Sequence, residues 1–166
     1  MRSYLLAFLA VSLAACAPTS IGPWDVEDLG PWYADEVEIA ARDLLACVAE
    51  VDGYLAQLVP RVERNQLSIF EAVDPAACGE ICDVECWGCS SPTRAIWIVP
   101  VARWELEVEI IAHELLHQIM LYDLMMDRLS HEHDPRYFGP DSVLDRATDR
   151  YWEKFPEQLG LVREVR

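Results

Sequence analysis

Basic side chains are scarce: 13 Lys and Arg stand against 29 Asp and Glu, a formal net charge of −16. That shortage excludes nucleic-acid binding, because neutralising phosphates needs a face of clustered Lys and Arg. It equally disfavours electrostatic docking on anionic lipid. The chain also lacks an apolar run that spans a bilayer. Tyr4 to Ala15, broken by Ser12, falls short of the roughly 20 residues a membrane helix needs. There is no internal repeat, and 166 residues leave room for one ordinary domain, not two. Apolar residues, by contrast, make up 52% of the chain. That share excludes a disordered acidic tail, which has too little to bury.

Part of this apolarity is concentrated at the start. In MRSYLLAFLAVSLAA, twelve of the fifteen residues are apolar and Arg2 is the lone basic one. A short apolar stretch behind a basic residue and ending in small residues reads as an export signal. Leu13-Ala14-Ala15-Cys16 resembles a bacterial lipobox. The resemblance implies cleavage before Cys16, a diacylglycerol on its thiol and an acylated amine, enough for stable membrane anchoring. Within the same resemblance, Ala17 in place of Asp points to the outer membrane of the cell envelope, facing periplasm or surface. The expected organisation is a lipoprotein signal over 1–15, lipidated Cys16 and a Pro/Gly-rich tether over 16–31, and one domain over 32–166.

Beyond Cys16 come Cys47, Cys78, Cys82, Cys86 and Cys89. Disulfides persist in an exported chain, so pairing is expected, and an odd number leaves one thiol over. Four of these lie in a loop with Gly79, Gly88 and Pro92, where a bridge stiffens loose chain. Cys47 falls on a predicted helix, in a position to staple that helix to the loop. Cys86-Trp87-Gly88-Cys89 also has zinc-knuckle spacing, a thiolate alternative that oxidising surroundings disfavour. No βαβ pattern surrounds it, so a thioredoxin-like site is not supported.

Val37, Ala40, Ala41, Leu44, Leu45, Val48, Val51, Leu55 and Leu58 recur at helical spacing and predict a helix over 33–59, stopped by Pro60. Strands are expected at Leu67–Val73 and Arg94–Val99. A long helix follows from Ala102 to Met126, with no Gly or Pro inside, and a last helix runs from Asp141, its expected cap, to Phe155. Trp97, Trp104 and Trp152 are expected in the core. Helix, strand, loop, strand, long helix, helix is the order of an α+β domain.

The long helix carries His113-Glu114-Leu115-Leu116-His117. Histidines four apart share one helical face and offer both imidazoles to a single Zn²⁺. Glu114 sits beside the metal, placed to take a proton from bound water and pass it to a leaving amine. Ile110, Ile111, Ala112, Leu115, Leu116, Gln118 and Ile119 bring no competing charge. HExxH on a long helix behind a strand resembles the zincin metallopeptidases. That resemblance implies a compact, minimal zincin-like domain and an extended peptide substrate paired with an edge strand, here expected at 94–99.

The third ligand is less sharply indicated. Small exported bacterial zincin-like proteins follow HExxH with an acidic turn holding His, Pro and an aromatic, which Ser130 to Phe138 resembles. His133, next to Asp134-Pro135, is favoured over His131; the one left over would orient a ligand or polarise the substrate. The metzincin pattern puts Gly and a third His where this chain has Met120 and Asp123, leaving Asp123 as an alternative. The thermolysin-like pattern takes a Glu from a later helix, where Glu153 stands with Asp145 and Asp149 nearby. Tyr137 and Tyr122 are candidate donors to a tetrahedral oxyanion. The expected function is a lipid-anchored, extracytoplasmic zinc metallopeptidase acting on peptides, with basic peptides suggested by the acidity. The alternative is an envelope lipoprotein that holds zinc or disulfides without catalysis, as a binding module.

Overall fold

The computed structural model describes residues 24–27, 31–65, 67–71, 87–92 and 94–162. The export signal, Cys16, and Cys78, Cys82 and Cys86 lie outside the described residues. The fold is α+β, as the element order implied. A four-stranded sheet is built from β1 (Trp24–Glu27), β2 (Leu67–Glu71), β3 (Gly88–Ser91) and β4 (Ala95–Ile98) in the order β1-β2-β4-β3. β1, β2 and β4 run parallel, while β3 is antiparallel to β4. Six helices accompany it: α1 (Pro31–Val51), α2 (Val59–Arg64), α3 (Trp104–Met120), α4 (Leu124–His131), α5 (Pro135–Phe138) and α6 (Val143–Lys154). Among the described residues no helix is long and apolar enough to cross a membrane.

β1 corrects the expected tether, because Trp24–Glu27 pairs with β2. Strand 94–99 is present but sits inside the sheet, hydrogen-bonded to β2 on one side and β3 on the other. It therefore has no free edge for a substrate strand. Among the described residues that edge belongs to β3, whose sequence Gly-Cys-Ser-Ser has no branched aliphatic or aromatic residue to announce it.

The expected helix 33–59 stops earlier, at Val51. The Asp52 carboxylate accepts from the backbone N–H of Tyr54 and Leu55, both at 2.9 Å, and turns the chain. Pro60 then opens α2 instead of ending α1, since a first-turn position needs no N–H donor. The long helix 102–126 breaks in the same way, without Gly or Pro. Asp123 leaves helical geometry (φ −141°, ψ 125°) and its carboxylate accepts from Met125 N (2.9 Å) and Met126 N (3.1 Å), starting α4. Ser142, not Asp141, caps α6, accepting from Asp145 N at 3.3 Å.

The core forms where α3 crosses the sheet. Ile69, Ile96 and Ile98 of the sheet share one buried cluster with Val108, Ile111, Leu115 and Leu116 of α3, Leu44 and Leu45 of α1, and Tyr151 of α6. Trp104 is buried with its indole N–H donating to Gln158 Oε1 at 2.9 Å. α6 packs along α1, and at their surface Glu50 pairs with Arg150 (2.8 Å) and Lys154 (2.6 Å). Cys47 does not staple anything. It is a free, buried thiol on the α1 face turned toward Lys154 of α6, and burial raises its pKa. Cys89 is disulfide-bonded.

At Gly88 the β3 backbone meets the Ile110 and Glu114 side chains of α3 directly. A Cβ there would lie 2.7 Å from Ile110 Cγ2 and 3.0 Å from Glu114. Beside it, Gln118 Nε2 donates to Ser90 Oγ and, at 2.9 Å, to the Ser91 carbonyl. Gly88→Ala is expected to lower stability by about 1–3 kcal/mol, the range for an overpacked core. Thermal unfolding measures this, and an unchanged midpoint would mean that α3 is free to move away from β3.

Candidate metal centre

α3 carries His113 and His117 one turn apart, so their rings project from the same side. Their Nε2 atoms are 3.0 Å apart, and His133 Nε2 lies 3.3 Å from His113 Nε2. The ligand nitrogens of all three lie within 4.8 Å of one another. Imidazole nitrogens about 2.0–2.1 Å from a tetrahedral zinc are themselves about 3.3 Å apart, so the cluster has the dimensions of a three-histidine site. Three ligands would leave the fourth position of such a site open.

The third histidine arrives through local backbone chemistry. α4 ends with Asp134 N donating to Leu129 O and His133 N donating to Ser130 O, each at 3.0 Å. This paired closure places His133 in the left-handed region, φ +47°, where Gly is the usual occupant. The Asp134 side chain then caps α5, accepting from Arg136 N at 3.0 Å, with Pro135 in the first turn. One short link thus stops a helix, presents an imidazole and starts the next helix.

Electrostatics favour ligation over protonation. Burial holds His117 down to about 3 and His113 down to about 4, with the neighbouring histidines adding to the effect. Both are therefore neutral near pH 7, with lone pairs available. His117 Nδ1 lies 2.6 Å from the buried Ser130 Oγ. If Nδ1–H donates there, the Nε2 lone pair faces the cluster. Glu114 is buried on the α3 face turned to Gly88, and burial pushes its carboxyl up to about 8. A dication next to it would draw it back toward ionisation.

The other sequence candidates are elsewhere. His131 is exposed and points to Asp127 at 3.6 Å. Asp123 is occupied as the α4 cap and accepts from Tyr54 Oη at 2.7 Å. Glu153 pairs with Arg150 at 2.7 Å on the outer face of α6, and Asp145 accepts from Asp141 N at 2.8 Å. Asp149 is exposed on α6. Tyr137 Oη donates to Met126 Sδ at 3.7 Å, and Tyr122 packs against the core with its carbonyl accepting from Arg61 at 3.0 Å. Neither tyrosine lines the cleft that opens beside His113 and Glu114.

The two ends of the Ser130–Phe138 stretch take roles that the sequence did not assign. Phe138 packs on all three imidazoles, its centroid 4.7 Å from that of His117 and 5.0 Å from those of His113 and His133. Ser130 buttresses His117. An aromatic after Asp-Pro was visible in the sequence, but nothing there joined Ser130 to a helix one turn of structure away.

The cleft beside the cluster encloses about 840 Å³. β3 bounds it, and the outer edge of β3 pairs with no other strand among the described residues. Trp87 O accepts from Val99 N at 2.8 Å. Antiparallel alternation then turns Cys89 and Ser91 toward β4, and the N–H and C=O of Gly88 and Ser90 toward the open edge. No protein-family model matches this chain, and no curated protein or solved structure does either.

His133→Gly is expected to raise the stability of the metal-free protein by about 1 kcal/mol, by releasing left-handed strain. The same change should weaken zinc uptake; unfolding curves and zinc titration measure the two effects. The three buried groups also fix a pH profile. Below 6.5 the unfolded histidines bind protons that folded His113 and His117 refuse, so stability falls as pH falls toward 4. Folded Glu114 keeps its proton up to about 8 while the unfolded group loses it near 4.5, so its contribution is lost as pH rises through that window. From these groups the metal-free midpoint should peak at about pH 6.5. Glu114→Gln should flatten the alkaline side.

Proposed function

We propose that the protein is a zinc-dependent metallopeptidase of the zincin type, held in the bacterial cell envelope by a lipid on Cys16. The observation that carries this reading is the convergence of His113, His117 and His133 Nε2 beside a buried Glu114 carboxyl, at one end of a cleft bounded by β3, whose outer edge pairs with no other strand among the described residues. A closed structural site would have four protein ligands. The three imidazoles here, with Glu114 adjacent, favour a site that accepts a reactant.

His113, His117 and His133 would hold the metal. When bound, zinc supplies Lewis acidity, polarising a carbonyl and lowering the pKa of a ligated water to about 7. Glu114 is the proton carrier. Its carboxylate accepts a proton from the attacking water and delivers it to the departing amine, and its enclosed position against Gly88 keeps that proton from bulk solvent. An extended peptide would hydrogen-bond along Gly88 and Ser90, as an added antiparallel or parallel strand. Ser130 orients His117, and Phe138 fixes the three rings against one another.

Glu114→Gln tests this reading with metal analysis of the purified protein alongside. The parent is expected to bind one zinc and to cleave members of a broad peptide library. The variant should bind zinc and lose cleavage by a factor of 10² or more, the scale of a lost general base. A parent that binds zinc and cleaves nothing would leave the non-catalytic lipoprotein reading in its place. A parent without zinc would remove the peptidase and the zinc-holding module alike, leaving the disulfide-stapled binding module.

A further inference from the structure

The cleft extends well beyond the metal cluster. Its lining follows α3 from Arg103 to His113, ten residues or about 15 Å of helix, room for about four residues of extended chain. Away from His113 and Glu114 the walls are apolar: Leu106 and Ile110 from α3, Trp87 beside β3, Val101 and Ala102 after β4, and Leu144 from α6. Trp87 and Leu106 are 52% and 40% exposed, so two large apolar side chains face the cleft with much of their surface uncovered. Charge at the rim is one-sided. The Arg103 guanidinium is held by Glu105 at 3.0 Å, which leaves the exposed Glu109 carboxylate without an ion-pair partner among the described residues.

Resting on the peptidase reading, we infer that this cleft selects peptides by a large apolar side chain, Phe or Leu, seated between Trp87, Leu106, Ile110 and Leu144. The peptide backbone lies on the Gly88 and Ser90 edge, which fixes its register against the metal. Successive side chains of that strand point to opposite faces, so the cleft admits alternate residues. Glu109 excludes acidic residues next to the seated one. A basic residue is not the preferred occupant, because Glu109 stands in solvent at the rim while the walls offer no polar partner to a buried cation. Overall acidity therefore does not set the specificity of this site; the apolar walls do.

Binding and cleavage are measured separately. Blocked pentapeptides carrying Phe, Leu, Lys, Asp or Gly at one position are titrated against zinc-free Glu114→Gln protein, following tryptophan fluorescence. The Phe and Leu peptides are expected to bind at least tenfold tighter than the Gly peptide. Leu106→Arg should remove that difference while unfolding at the parent temperature, and Leu106→Ala should weaken it only in part. Equal affinity for all peptides, or tightest binding of the Lys peptide, overturns the inference. The same peptides are then offered to the zinc-loaded parent. Discrimination in binding without any cleavage upholds the cleft assignment and sinks the peptidase reading. Cleavage indifferent to the varied residue does the reverse.

Discussion

Helix α3 lies against β3 so closely that position 88 has no room for a Cβ, and the placement of Glu114 and the histidines follows from it. Ile110, Glu114 and Gln118 are four apart and form the row that meets the strand. With that row fixed, His113 and His117 must emerge about 100° round the helix, at the boundary between packed interior and open cleft. The carboxyl is thereby enclosed and the imidazoles are left reachable. Gln118 ties the same row to the backbone of β3, so the helix can neither slide nor roll without breaking buried hydrogen bonds.

The third histidine of the cluster depends on a different kind of force. No apolar pattern brings His133 to the cluster; a chain of short-range polar contacts does. Asp123 ends one helix by capping the next, α4 folds back, and a paired carbonyl closure turns His133 inward at a backbone angle that suits Gly better. Strain of this kind persists only where the surroundings over-determine it. Here Asp134, Pro135 and the Phe138 ring supply that constraint immediately downstream.

The same division explains what the sequence made legible. Periodic burial announced α1, α3 and the β4 strand, because a packed face repeats with the element that carries it. HExxH announced two histidines and a glutamate that the structure brings to one site, because they share a helix turn. Helix ends were misplaced at Val51, Met120 and Pro60, where an Asp side chain or a first-turn proline acts through hydrogen bonds that composition does not display. β3 was invisible because Gly-Cys-Ser-Ser owes its strand conformation to β4 and Gln118, not to its own residues. β1 was mistaken for linker because its flanking Pro and Gly signal a break equally well on either side of four paired residues. Cys47 was set on the correct helix but assigned the wrong neighbour, since a sequence does not say which way a buried thiol faces.

All of the residues that would bind metal, move the proton or meet the peptide backbone fall between Gly88 and Phe138, in one continuous stretch. The β3–β4 hairpin, α3 and the turns after it make contacts of short sequence separation. β1 and β2, the α1 crossover between them, and α6 draw on distant parts of the chain. Low contact order speeds assembly, whereas parallel pairing and end-to-end docking wait on loop closure. The cluster thus sits on a stretch joined by contacts of short sequence separation, and distant parts of the chain, α1 and α6, pack against it.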